Sequence, residues 1–456
     1  MAATRKFLGK AFDRLIGKQL CLPPETCNYA TQVVTIPLPD VPTLAATLYQ
    51  PLGQSPLGTV LVRGPYGRGL MIATGSARVF ASRGYQVLFV SSRGTFGSTG
   101  TFNGGSSEAR DGHGVVTWMR QQPWYTGSFA TLGMSYSGFT QWALLSDPPS
   151  DMVAAVILAA PHDYAKHVWG TGAFNMQHIS WSHTIVTQET ASLVERYKAM
   201  DTLKYLLPII QAVPLADGVN SHFSGPRAAP WLSHAINCPD PDDPSWAPLR
   251  HNQALDRTNI PVLLITGWQD IFFEQTMEQY ERLSTRGCTV SLIVGPWTHL
   301  QILNKTSAPT MLEWLHRYVA GDKSVRKMMP VQIYVQGLTT SEWLELPSWP
   351  PSTTPHTLYL AGRNELSHQP PPAHTEPSSF VFDPADPTPA VGGPMLTGGG
   401  TVDDSTLTAR RDVVTFTSEP ISRTMKVLGK PCVRITHSSD RQCFDLLILA
   451  ALVDRH

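Results

Sequence analysis

The segment Gly133-Met134-Ser135-Tyr136-Ser137-Gly138 sets a serine between a short apolar run and a helical pattern. A sharp turn from strand to helix strains the serine backbone, lifts Oγ above the sheet, and needs small residues where strand and helix approach. Gly133, Ser137 and Gly138 supply them, although the second glycine follows Ser135 by three positions, not by the two of the strict G-x-S-x-G spacing. The same spacing at Gly53-Gln54-Ser55-Pro56-Leu57-Gly58 precedes a strand pattern and opens no helix, so that copy reads as a turn. A serine hydroxyl does not ionise near neutrality; it needs a base, and the base needs a group that fixes its tautomer. Gly267-Trp268-Gln269-Asp270 closes one strand-like run downstream, and Gly295-Pro296-Trp297-Thr298-His299 closes the next. Serine, acid and histidine thus follow in the chain order of an α/β-hydrolase triad, with Asp270 to orient and His299 as base. Each has a plainer reading: Asp270 could cap a helix beginning near Glu274, and His299 is one of 15 histidines. The coincidence of three correct residue types, each ending a predicted strand, favours the triad.

Acyl transfer also needs donors for the oxyanion. The backbone N–H after the nucleophile, that of Tyr136, is the default first donor, and the second comes from the turn after an early strand. Leu61-Val62-Arg63-Gly64-Pro65-Tyr66-Gly67-Arg68 occupies that place, with the Tyr66 phenol available, or Tyr66 simply packs in a Gly-Pro turn.

The elements that must position these groups are legible as alternation. Val33–Ile36, Leu44–Tyr49, Thr59–Arg63, Gln86–Ser91, Ala130–Leu132 and Val153–Ala159 are short, apolar or β-branched runs that read as strands. Helical patterns fall at Ile72–Arg83, Ala109–Gln121 and Tyr136–Leu145, which predicts an α/β domain with a largely parallel sheet. Strands return at Pro261–Thr266 and Val290–Val294, followed by helices Glu274–Thr285 and Met311–Val319. The Trp- and His-containing stretch between reads as a helical insertion. Beyond Lys323, strand-like runs at Val331–Val335, His356–Leu360, Phe380–Phe382, Val413–Thr417 and Val433–Thr436 alternate with Pro- and Gly-rich turns, predicting a β-sandwich. The expected organisation is a hydrolase domain in two parts, residues 1–160 and 256–322, a cap at 161–255, and a C-terminal β domain at 323–456.

Composition bounds the possibilities. The 456 residues are 42% hydrophobic and 15% charged, with 35 basic and 35 acidic side chains, so no basic surface advertises nucleic acid and the chain is not of disordered type. The longest apolar run, Met152–Ala160, is far short of a membrane span. Six cysteines without a CxxC pair argue against a disulfide framework, and Cys21 and Cys27 lack further zinc ligands nearby. His162, His167, His178 and His183 do not align on one helical face, so no metal is expected there. Within Met1–Leu20, Leu8, Phe12, Leu15 and Ile16 at helical spacing among Arg5, Lys6, Lys10, Arg14 and Lys18 predict an amphipathic helix docked on the first domain. That segment lacks the apolar core and cleavage site of a secretory signal, which sets the expectation at the cytoplasm.

The three catalytic segments together resemble the cocaine esterase and X-Pro dipeptidyl-peptidase family of serine hydrolases, and Arg63-Gly64-Pro65-Tyr66 resembles its oxyanion-tyrosine motif. Gly84-Tyr85 through Ser92-Arg93-Gly94 to Gly100, Trp118, Gln122-Pro123-Trp124, and Phe382-Asp383-Pro384-Ala385-Asp386-Pro387-Thr388-Pro389 with Gly392-Gly393 extend the likeness from Tyr29 to Cys443. The resemblance implies an α/β-hydrolase domain, an inserted helical cap and a jelly-roll-like sandwich, with Ser135, Asp270 and His299 as triad and Tyr66 and Tyr136 as oxyanion donors. Family members usually continue well past the stretch resembling Cys443–Val453, so the sandwich is expected to lack strands.

The expected reaction is hydrolysis of a carboxylic ester or amide through an acyl-enzyme, with no metal or organic cofactor needed. Trp169, Trp181 and Trp231 of the cap are candidate contacts for an apolar acyl group, beside the plainer reading of a helical core. The partner is a small ester, amide or short peptide; oligomeric state is not readable. Release of X-Pro dipeptides would require carboxylates beside the acyl pocket to hold an ammonium, and acyl transfer would require exclusion of water. The rival from another class is a degenerate hydrolase that only binds.

Overall fold

The computed structural model of the chain describes residues 3–39, 43–190, 202–337, 340–442 and 444–451. Cys443 and the last part of Leu446–Val453 lie outside the described residues. Backbone contacts divide the described residues into two units. One comprises Met1–Phe102, Glu108–Pro161 and Asn252–Gly429; the other comprises Asn103–Ser107, His162–His251 and Lys430–His456.

In the first unit, eleven strands form one sheet among the described residues. They are β1 (Ala3–Thr4), β2 (Asn28–Pro37), β3 (Thr43–Leu52), β4 (Thr59–Gly64), β5 (Gln86–Ser91), β6 (Phe129–Met134), β7 (Met152–Leu158), β8 (Val262–Gln269), β9 (Val290–Thr298), β10 (Val331–Val335) and β11 (Glu342–Leu346). The spatial order is β1-β2-β3-β5-β4-β6-β7-β8-β9-β10-β11. The pairings from β5 through β10 are parallel, and the outer ones, β1 to β3 with β5 and β10 with β11, are antiparallel. The central strands are apolar on both sides because each side is covered. Leu61 and Leu88 point into one core with helices Glu108–Arg120, Tyr136–Leu145 and Phe273–Thr285, whereas Val60, Val62, Val87 and Phe89 point into the other with helix Ser307–Tyr318.

Three expectations about this unit are revised. The pattern Ile72–Arg83 is not one helix: short helices Leu70–Ala73 and Val79–Ala81 flank a π-helical turn at Thr74–Arg78. The Thr74 hydroxyl donates back to the Leu70 carbonyl, and bare Gly75 lets Leu303 approach, both of which loosen the regular ladder. Val331–Val335 joins the central sheet, parallel to β9, where Val331 and Ile333 are buried; a period of two shows a strand but not the sheet it belongs to. The N-terminal helix forms, at Phe7–Gln19, but the positions it buries are Asp13 and Gly17, with Phe12 and Ile16 of the apolar stripe only half-buried. Asp13, fully buried, accepts from Arg5, Tyr29 and Arg78, and Gly17 makes room for Arg83. Phe7 and Leu8 are 81% exposed and Leu15 55%, because the buried carboxylate must keep its ionic partners.

After β11 the first unit has a small three-stranded sheet of β12 (Tyr359–Ala361), β13 (Glu365–Ser367) and β14 (Thr417–Ser418). The expected strands Phe380–Phe382 and Val433–Thr436 do not pair in the structure, and most of their apolar side chains are exposed; β-propensity yields strands only where backbone groups find partners. In the second unit the described residues of 162–190 and 202–251 are mostly helical. Its apolar centres are Ile179, Leu206, Val219, Phe223 and Leu232 in one cluster, and Val168, Ala235 and Trp246 in another.

Candidate active site

Strand β6 runs straight into helix Tyr136–Leu145 through Ser135, whose φ of 58° and ψ of −126° lie where only glycine is comfortable. The turn closes because side chains are missing around it. A Cβ on Gly133 would strike the Ser137 backbone, one on Gly138 would strike Ala160, and one on Gly64 of β4 would strike Ser137. Gln141 ties the helix to the sheet, accepting from the Thr131 hydroxyl at 2.7 Å and donating to the Val156 carbonyl at 3.0 Å. The Gly53–Gly58 copy lies between β3 and β4 outside any helix, as expected of a turn.

Asp270 immediately follows β8, and His299 immediately follows β9. Both are 1% exposed. Gly267 is bare because the Trp297 carbonyl presses on it where the two strands lose register, and Thr298 and Gln301 cap the turn that carries His299. His299 Nδ1 lies 2.7 Å from Asp270 Oδ1, and its Nε2 lies 3.0 Å from Ser135 Oγ. The other carboxylate oxygen, Oδ2, accepts from Thr266 Oγ1 at 2.6 Å. An ionised carboxylate only accepts, so the proton of the neutral imidazole sits on Nδ1, and Nε2 is left to accept from the serine hydroxyl. Asp270 does not cap the following helix with its side chain: both of its oxygens are occupied as described. Phe272 packs edge-on against His299, ring centroids 5.5 Å apart, and is itself buried.

Tyr66, on the turn after β4, is partly buried and sets its ring edge-on to that of Tyr136, with centroids 6.4 Å apart. Tyr136 is fully buried, and its hydroxyl donates to Glu108 Oε1 at 2.9 Å. The structure therefore brings together Ser135, His299 and Asp270, and places Tyr66 beside Tyr136.

Trp169, Trp181 and Trp231 belong to the second unit. There Trp169 donates to the Ala235 carbonyl and packs on Phe174, Trp181 stacks on His178, and Trp231 donates to Ser182 and covers bare Gly104. These contacts build that unit's own core. The histidines of the segment are dispersed, His183 facing His222 at 3.1 Å and His178 facing Trp181.

Three residues at the site escaped sequence reasoning. Thr266 reads as one more β-branched strand residue, and Phe272 as one more apolar one. Glu108 reads as an acid placed to complement a helix N-terminus; the signal available was its place in Glu108-Ala109-Arg110-Asp111 directly after a glycine- and serine-rich turn.

Comparison with known proteins identifies the family and the fold. The sequence profile described as X-Pro dipeptidyl-peptidase (S15 family) matches residues 40–301, and that of the X-Pro dipeptidyl-peptidase C-terminal non-catalytic domain matches residues 324–455. The chain is 26% identical to the cocaine esterase of Rhodococcus sp. (strain MB1 Bresler) over 461 aligned residues, covering 92% of this chain and 79% of that protein. Among solved structures, an alpha-amino acid ester hydrolase has a TM-score of 0.68 at 21% identity, covering 90% of this chain and 75% of that one. An aminopeptidase from a marine sediment Thaumarchaeota archaeon has a TM-score of 0.67 at 21% identity, covering 88% and 73%. Both share the fold. No helix among the described residues is long and apolar enough to cross a membrane. The chain belongs to the X-Pro dipeptidyl-peptidase (S15) family and is a serine hydrolase of the α/β-hydrolase fold.

Proposed function

We propose that this hydrolase cleaves carboxylic esters or amides through an acyl-enzyme on Ser135. The observation that carries the reading is His299 bridging Ser135 Oγ and Asp270 Oδ1 with the two nitrogens each task requires. As Oγ attacks the acyl carbonyl, Nε2 takes its proton, and the Asp270 carboxylate stabilises the imidazolium that forms. The imidazolium then protonates the leaving alcohol or amine. Water enters and gives a proton to Nε2 as its oxygen bonds to the acyl carbon; the acyl–Oγ bond then breaks, the imidazolium returns the proton to Ser135 Oγ, and the acid leaves. The Tyr136 N–H and the Tyr66 hydroxyl hold the carbonyl oxygen as it becomes an oxyanion.

Support for an acyl substrate also comes from the relatives: an esterase, an ester hydrolase and an aminopeptidase all act on a carboxylic acyl group. The test is fluorophosphonate labelling with peptide mapping, run beside hydrolysis of short aryl esters and an X-Pro anilide. An adduct confined to Ser135 and lost in Ser135→Ala is expected. Its absence from a folded sample would support a protein that binds without catalysis, and preference for the anilide would assign a dipeptidyl-peptidase.

A further inference from the structure

The two proposed oxyanion donors leave the sheet on different elements, Tyr66 after β4 and Tyr136 after β6. The β4–β6 ladder is paired at Thr59 to Leu61 with Phe129 to Thr131, at the end of the strands remote from these turns. Across the gap where the donors emerge, Gly64 packs closely on Ser137 and the Thr140 hydroxyl donates to the Arg63 carbonyl at 3.3 Å. Glu108, first residue of helix Glu108–Arg120, spans that gap. Its Oε2 pairs with Arg63 Nη2 of β4, its backbone carbonyl accepts from the same nitrogen at 2.8 Å, and its Oε1 accepts from the Tyr136 hydroxyl at 2.9 Å. All three residues are buried, and Gly112, one turn along the helix, is bare where the Arg63 guanidinium enters.

We infer that Glu108 is a positioning residue of the oxyanion hole, acting through Tyr136. The carboxylate holds the Tyr136 ring by its hydroxyl, the Tyr136 ring supports the Tyr66 ring edge-on, and Arg63 holds the same carboxylate to the strand that delivers Tyr66. A charged acceptor in a buried setting makes a stronger tether than a neutral one. An oxyanion donor displaced by a fraction of an ångström loses much of its effect on the transition state while leaving substrate binding alone. The inference rests on the proposed donor roles of Tyr66 and Tyr136.

A double-substitution cycle tests it, with p-nitrophenyl acetate as probe. Tyr66→Phe removes a donor and is expected to lower kcat by about 10²-fold. Tyr136→Phe keeps the ring and the amide, loses the tether, and is expected to lower kcat about tenfold with KM unchanged. The double variant is expected near 10²-fold and not 10³-fold, because the tether acts through the ring contact that places the Tyr66 hydroxyl, whereas the Tyr136 N–H is placed by the elbow backbone itself. The limbs of the kcat–pH profile should stay where they are, since His299 and Asp270 are untouched. Glu108→Gln weakens the tether and unpairs Arg63; it should fall at least as far as Tyr136→Phe, and if it does not fold the cycle decides alone. Multiplicative losses in the double variant, or wild-type kcat in Tyr136→Phe, would overturn the positioning role. Wild-type kcat in Tyr66→Phe would instead remove the donor assignment on which it stands.

Discussion

Replacing Asp270 by asparagine exchanges one carboxylate oxygen for an NH2 group and should nearly abolish turnover. The carboxylate accepts twice, from His299 Nδ1 at 2.7 Å and from Thr266 Oγ1 at 2.6 Å. A carboxamide has one oxygen and one NH2. If the oxygen serves Thr266, the NH2 faces His299, Nδ1 must accept, and the ring proton moves to Nε2, where it points at Ser135 and the base is gone. If the oxygen serves His299, the tautomer survives, but the charge that stabilises the imidazolium is lost. At about 4 Å and an effective dielectric of about 20 that attraction is roughly 4 kcal/mol, or about 10³-fold in rate. The tautomer error deepens the loss toward about 10⁴-fold. Because Thr266 competes for the oxygen, Thr266→Val added to Asp270→Asn should return part of the activity. The assay is kcat on an aryl ester between pH 6 and 10, with circular dichroism to confirm the fold. A folded Asp270→Asn enzyme within about tenfold of wild type would refute the assigned role.

Two further outcomes follow from strain and burial. Ser135 sits at a φ that costs about 1–3 kcal/mol for a residue with a Cβ, so Ser135→Gly should be inactive yet about 1 kcal/mol more stable than Ser135→Ala, after allowance for the looser unfolded chain; equal denaturant midpoints would show that the turn is unstrained. In the second unit, burial pushes His178 down to about 4, and burial with the neighbouring His162 pushes His251 down to about 4. Their unfolded counterparts take up a proton near pH 6.5, so this stability is complete above that pH. It is lost as pH falls toward 4, by roughly 1.4 kcal/mol per unit for each histidine. Hydrogen exchange over Gln177–Thr187, corrected for intrinsic rates, should show earlier opening at pH 5 than at pH 7, and His178→Gln should reduce the difference; no change with pH would contradict the burial argument.

Much of the hydrolase unit was legible because its signals are local. Gln86–Ser91 and Tyr136–Leu145 have the predicted bounds, since β-branched runs and helical periodicity are properties of adjacent residues. The N-terminal helix shows the limit of such reading. Its apolar stripe predicted a docking face, but Asp13 meets Arg5, Tyr29 and Arg78, and a buried carboxylate with three partners outweighs a few exposed apolar side chains. Thr266 and Glu108 carry no local mark of their contacts, because nothing in a strand residue or a helix-start acid names a partner that lies elsewhere in the chain.

The sequence by itself determined the elbow, the serine–acid–histidine order, and the placement of Asp270 and His299 at strand ends, because turn chemistry and periodicity are written in neighbouring residues. Only the tertiary structure decided that His299 meets Ser135 across 164 positions, that Val331–Val335 joins the central sheet, and that Glu108 links Arg63 of β4 to Tyr136. Those contacts depend on which strands pair and which side chains share a buried space, quantities set by packing of the whole chain rather than by any segment of it.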